Sequence, residues 1–298
     1  MSFPEKYRIA MKTQTLFLHL SPLLIPYVSL FCAGVVLAAV QSVGLWSPVP
    51  LPSGLGAAYT RLWSSPWFYE MFGFSLYVAF VSALLATGGG TLLACGIWGM
   101  PALLRRMSVI YKATLILPHI AIGFIVLVFC SQTGVLASLA RLVGMITLPV
   151  QFPNILYGGN GFGLILAYTY KEIPFAILMV LGLLAGFDRR LFDCARMLGA
   201  SRVRIFFRIL VPSIAPAMHS AFIILFLYAF GAFDIPYLLG ESKPAMLSIE
   251  VYNLYFKRDL TNRPLALAML MLMFCFSVLF IMIYSRVVSS LTARERKL

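Results

Sequence analysis

The sequence predicts an all-α polytopic membrane protein, with six transmembrane helices and a cytoplasmic pair of short helices between the fourth and the fifth. Three observations lead there. Of 298 residues, 61% are hydrophobic and only 11% charged, where soluble domains carry about a quarter charged residues. Six apolar runs, at about 16–43, 71–99, 109–131, 161–187, 213–236 and 264–285, each reach the roughly 20 residues that a helix needs to cross hydrocarbon. One long basic insertion, about 188–212, separates the fourth run from the fifth. The chain therefore divides into a tail 1–15, a membrane block 16–285 that contains the loop 188–212, and a tail 286–298.

The first run follows Lys6, Arg8 and Lys12 as a signal peptide would. Its apolar core is far longer than the roughly 7–15 residues of such a segment, so it stays as a helix. Cys32 follows the bulky Phe31, which argues against lipid attachment. The loop 44–70 is rich in Pro and Trp, and Trp46, Trp63 and Trp67 suit the membrane interface. In the second run Gly88-Gly89-Gly90 permits close helix approach. Pro118, Pro174 and Pro236 each interrupt a helix and free a backbone carbonyl. Residues 135–143 read as a short amphipathic surface helix, and 237–263 as an outer segment of mixed charge.

Orientation follows from the cations. Fifteen Lys and Arg lie on the side of the termini and the insertion, and six lie opposite at Arg61, Arg141, Lys243, Lys257, Arg258 and Arg263. That excess puts both termini and the insertion in the cytoplasm. The total of 23 basic against 10 acidic residues thus reports topology, and nucleic acid is not an expected partner. There is no phosphate-cradling Gly-rich loop with Lys and Ser/Thr, so the chain does not hydrolyse a nucleotide by itself. His19, His119 and His219 are far apart and the five cysteines show no ligand spacing, so no metal site is expected. No Gly-x-Ser-x-Gly elbow supports a hydrolase, and no catalytic residue is assigned.

The charges that cost most to place are Lys171 and Glu172 in the fourth run and Asp234 near the outer end of the fifth. Hydrocarbon cannot solvate them, which marks them as candidates for lining a pathway together with Pro174 and Pro236. Adjacent helical residues point about 100° apart, so Lys171 and Glu172 do not pair simply with each other. Satisfaction by polar groups on neighbouring helices is the equal alternative.

The insertion has internal order. Asp193-Cys194-Ala195 opens a short helix that stops at Gly199, where glycine supplies a sharp turn. Ala200 and Ser201 follow, and Ser201 caps a second helix. That helix sets Phe206, Phe207, Ile209 and Leu210 among Arg202, Arg204 and Arg208 and runs to Pro212. It is too apolar for a solvated loop. This stretch resembles the cytoplasmic signature loop of binding-protein-dependent ABC importer permeases: Glu-Ala-Ala, three residues, Gly, nine residues, Ile-x-Leu-Pro. The spacings of Gly199, Ile209 and Pro212 match. Asp193 stands for Glu, Cys194 for the first Ala and Val211 for the Leu before Pro. The segments 168–175 and 228–240 look like pieces of the permeases for polyamines, thiamine, ferric iron, sulfate or molybdate, and the resemblance covers about 70–285.

The resemblance implies an inner-membrane subunit that forms half a pore and pairs with itself or with a sister permease. A cytoplasmic ATPase dimer would hold ATP and Mg, no cofactor would be bound by this chain, and a periplasmic solute-binding protein would dock outside. Asp193 to Pro212 would then be the coupling helix pair. Gly199 would set its bend, Phe206 and Phe207 would be its anchors, and Arg202, Arg204 and Arg208 would meet ATPase carboxylates or membrane lipid phosphates. A polyamine-like cargo is taken from the resemblance alone. The rival reading is an ion-coupled secondary transporter that uses Glu172 or Asp234. It leaves the bent basic insertion without a role.

Overall fold

The computed structural model describes residues 5–46, 54–101, 108–188, 190–240 and 243–295. Arg105, Arg106, Arg189, Arg296 and Lys297 of the cation count lie outside these residues, as do the side chains of Lys6, Arg8, Lys12 and Arg294. Among the described residues there is no strand. Six stretches of the described residues are long and apolar enough to cross a membrane: His19–Ser42, Pro66–Gly99, His119–Leu142, Phe162–Leu184, Arg202–Gly231 and Leu260–Ser290. The chain forms two compact units, one of residues 1–64 and 253–272, the other of 65–252 and 273–298.

The first unit contains α1 (Glu5–Ser42) and α2 (Ala57–Trp63). Ser42 at the end of α1 shares a 2.8 Å hydrogen bond with the Tyr59 hydroxyl, and Gly56 N–H donates to the Val43 carbonyl at 2.8 Å. In the returning segment Asp259 accepts from the Thr261 amide at 2.9 Å. This bond holds the Asp259 carboxyl below its ordinary range. The Arg263 guanidinium lies over the Tyr255 ring, 4.8 Å from its centroid.

The second unit is built on α3 (Pro66–Gly99), which begins at a proline in its first turn where the missing N–H costs nothing. It packs along α7 (Phe162–Leu184). Gly90 allows the approach, since a Cβ there would meet Ala176 Cβ at 2.5 Å and the Ile173 carbonyl at 3.0 Å. The third apolar run is not one helix. It comprises a 3-10 turn Ser108–Lys112, α4 (Ala113–Ile116), an extended Leu117, then α5 (His119–Cys130). Pro118 lacks the N–H to continue the ladder and pushes the preceding residue out of helical torsions. The amphipathic surface helix appears as α6 (Val135–Leu142).

The fifth run likewise ends early. After the helical pair α8 (Arg190–Met197) and α9 (Arg202–Ile205), α10 spans Val211–Gly231. The chain is extended at Ala232 and restarts as α11 (Asp234–Leu239), so Asp234 and Pro236 lie beyond the spanning helix. Pro236 is the cause, for it cannot donate to the Ala232 carbonyl. That carbonyl accepts from Ser248 Oγ at 2.8 Å. Ser248 belongs to α12 (Leu247–Tyr252), whose first amide donates to Ser75 Oγ on α3 at 2.8 Å. The last helix, α13 (Arg263–Glu295), contributes its second half here. Phe222, Phe226 and Phe230 of α10 stack at four-residue intervals, as do Phe276, Phe280 and Tyr284 of α13. The two columns meet ring to ring, with centroids 5.7 Å apart at Phe222–Tyr284, 4.3 Å at Phe226–Phe280 and 5.2 Å at Phe230–Phe276.

Candidate coupling elbow and intramembrane polar site

The basic insertion folds into a compact elbow. At its entry the Arg190 amide donates to Asp188 Oδ1 at 3.0 Å. Helix α8 ends where Gly199 takes φ +79°. The Ala200 amide bonds the Ala195 carbonyl at 3.0 Å and the Gly199 amide bonds the Arg196 carbonyl at 2.9 Å. These are the paired closing bonds of a glycine-terminated helix. Ser201, in extended torsions, then accepts from the Arg204 amide at 3.3 Å and starts α9. No break follows, because α9 passes through a π-helical turn, Phe206–Leu210, directly into α10 with Pro212 in its first turn.

The apolar residues of the elbow divide into two groups. Ile205 and Leu210 are buried and Phe206 is half-buried, packed on a cluster that includes Ile97, Ile177, Val180 and Ile214. Trp98 meets Phe187 and, on α8, Phe192 edge-on, while those two rings are tilted against each other, with all centroids 5.3–5.9 Å apart. Phe207 is 64% exposed and Leu198 88% exposed, with Met197 and Val203 also bare. Asp193, Arg202, Arg204 and Arg208 are exposed around them, while Ala195 and Ala200 are half-buried. Phe206 and Phe207, paired in the sequence reading, thus face different ways, one inward and one outward. Exposed Met197 and Leu198 were not singled out there. They follow the last polar turn of α8, and only the tightness of the Gly199 closure shows that they project.

Within the membrane block Lys171 and Glu172 are buried on α7, the carboxylate residue to 2% exposure. Lys171 Nζ donates to three carbonyls at the break in the third span: Thr114 at 2.8 Å, Leu115 at 3.4 Å and Leu117 at 2.6 Å. Both Glu172 oxygens, and the hydroxyls of Tyr168 and Thr169, have no hydrogen-bond partner among the described residues. Pro174 is buried one turn further along α7. Asp234 is exposed in the first turn of α11, where an acid suits the helix N-terminus, and Pro236 is buried.

The His119 ring lies 4.7 Å from that of Tyr228. Lys171 Nζ sits on the Leu117 carbonyl, two residues before His119. The helices that carry the scattered charges, α7 and α11, both pack on α5. Sequence reasoning weighed His119 only as a metal ligand and set it aside. Its place directly after Pro118, at the start of α5, was the available signal.

Residues 86–293 match a family described as the inner membrane component of binding-protein-dependent transport systems. The spermidine/putrescine transport system permease protein PotB of Escherichia coli K12 is 26% identical over 193 residues, covering 63% of this chain and 67% of that protein. The probable ABC transporter permease protein YurN of Bacillus subtilis is 24% identical over 226 residues, covering 72% and 75%. Among solved structures, a chain of a bacterial ABC transporter involved in the import of the acidic polysaccharide alginate superposes with a TM-score of 0.75. It is 17% identical and is covered completely by 97% of this chain. A chain of the MetNI methionine ABC transporter in an inward-facing form gives 0.57 at 19% identity, over 76% and 98% of the two chains. A match through four whole spans, the end of another and the whole elbow settles the class: the chain belongs to the inner membrane components of binding-protein-dependent transport systems and is a multi-pass permease subunit of an ABC importer.

Proposed function

We propose that this subunit forms half of a translocation pore for a polyamine-like solute, pairs with a sister permease or a second copy, and is driven through its elbow by a cytoplasmic ATPase dimer that binds ATP and Mg. A periplasmic binding protein delivers the cargo. Both termini and the elbow face the cytoplasm, in keeping with the excess of cations on that side. The tails 1–15 and 286–298 flank a single membrane block with its coupling loop at 188–212.

The observation that carries this reading is the elbow itself. It presents Met197, Leu198, Val203 and Phe207 to the outside among arginines, and it is continuous with a spanning helix. Bare apolar side chains ringed by cations suit a complementary protein groove with carboxylates at its rim. Asp193, Gly199, Ala200 and Ser201 shape the turn, and Arg208 and Pro212 hand motion on to α10. The polyamine assignment is supported by relatives that serve spermidine and putrescine. Glu172 and Asp234 offer the carboxyl groups that an ammonium cargo requires.

In the reconstituted transporter, Gly199→Asp is expected to leave the subunit inserted and assembled while cargo-stimulated ATP hydrolysis is lost. Normal stimulation would remove the elbow from the coupling path. A thiol cross-linker placed on Leu198→Cys should capture the ATPase, and its consistent failure to do so would count against the same reading.

A further inference from the structure

We propose that Lys171 is a positioning residue whose ammonium group replaces the backbone donor removed by Pro118, and so fixes where and at what angle the third span is broken. In an unbroken helix the amide of residue 118 would donate to the carbonyl of Thr114. Proline has no such amide. The Thr114 carbonyl accepts from Lys171 Nζ instead, at 2.8 Å.

Of the further acceptors that the break frees, two also reach Lys171. The Ala121 and Ile122 amides both turn to the Pro118 carbonyl, at 3.1 and 3.3 Å. The Leu117 carbonyl is thereby left without an amide and takes Lys171 at 2.6 Å, while Leu115 takes it at 3.4 Å. An ammonium has three protons, and here three carbonyls converge on it. None of its donors is left for cargo. Glu172, the next residue, makes no ion pair with it, and both Glu172 oxygens stay without a partner.

Non-helical backbone at membrane depth persists only where its polar groups find partners inside the protein. The same arrangement recurs at Pro236, where the Ala232 carbonyl accepts from Ser248 Oγ at 2.8 Å. Lys171 does the equivalent work across two helices that are separated by more than fifty residues. In doing so it sets the start of α5, and hence the His119 ring, against Tyr228. Lys171 thereby leaves the set of cargo-facing charges, and Glu172 and Asp234 remain in it.

The test uses the complete transporter in lipid nanodiscs with Lys171→Met, which keeps length and loses the donors. Amide exchange in residues 113–123 should accelerate by about tenfold or more, as expected for unpaired buried acceptors, with the rest of the chain unchanged. Maximal uptake should fall with the half-saturating concentration of loaded binding protein unaltered. Lys171→Arg should recover only part, because a planar fork cannot meet three converging carbonyls.

Adding Pro118→Ala should suppress the Lys171→Met defect, since the returned amide pairs with Thr114. If Lys171→Met alone fails to assemble, assembly of the double variant carries the same information. Native exchange at 113–123 in Lys171→Met, or no suppression by Pro118→Ala, would overturn the assignment. A changed cargo preference with undisturbed exchange would make Lys171 a pathway charge instead. The exchange measurement requires neither cargo nor ATP, so it can fail or succeed independently of the polyamine reading.

Discussion

Gly90 and Gly88 stand two positions apart on α3 and have opposite surroundings. A Cβ at Gly90 would collide with Ala176 and the backbone of α7, whereas nothing lies within 4 Å of one at Gly88. Gly90→Ala should therefore destabilise the subunit by about 1–3 kcal/mol through overpacking. Gly88→Ala should be neutral or stabilising by about 0.5–1 kcal/mol, the ordinary gain of alanine over glycine inside a helix. Thermal unfolding of the two variants in detergent would separate them, and equal melting points would show that the α3–α7 contact is not tight at Gly90. The triple glycine was visible in the sequence as a site of close approach. Which of the three makes the contact depends on the rotation of α3 about its axis, and a helix apolar all round does not encode that.

The elbow is the element most completely legible from residues alone, because its punctuation is chemical. A left-handed torsion calls for Gly199, and an extended residue with a free hydroxyl calls for Ser201. Ser201→Ala should cost about 1 kcal/mol in α9. In the assembled transporter this should appear as faster amide exchange limited to residues 201–206, with cargo-stimulated ATP hydrolysis reduced less than in Gly199→Asp. Uniform exchange across the loop would mean that the hydroxyl does not start the helix.

The third and fifth spans were less legible. Pro118 and Pro236 announced interruptions, yet hydropathy sums across them and reports one span where the backbone has two pieces. The donors that repair the interruptions, Lys171 and Ser248, lie 54 and 16 residues from the carbonyls that they meet. Sequence periodicity carries no trace of such pairs. Phe206 and Phe207 show the same limit: adjacent helical residues point about 100° apart, but which of the two turns inward depends on how the elbow sits on α3 and α7.

For the whole transporter, the proposed drive by ATP predicts that uptake survives collapse of the proton gradient while cellular ATP is maintained, and stops when ATP is depleted. Loss of uptake on adding an uncoupler at constant ATP would restore the ion-coupled alternative through Glu172 or Asp234. The six spans, their order and the class of machine were legible because composition, length and a spaced signature all act locally along the chain. The convergence on α5 of α7 and α11, which carry Lys171, Glu172 and Asp234, was not, because it depends on how three separate helices are rotated and where two of them stop. The aromatic columns of α10 and α13 bear on how such a machine can move. Their rings recur every fourth residue, an axial spacing of about 6 Å, and each ring of one column faces one ring of the other. Sliding one helix along the other would part all three facing pairs at once, and about 6 Å of travel is needed before ring faces ring again, so the pair favours travelling as one body.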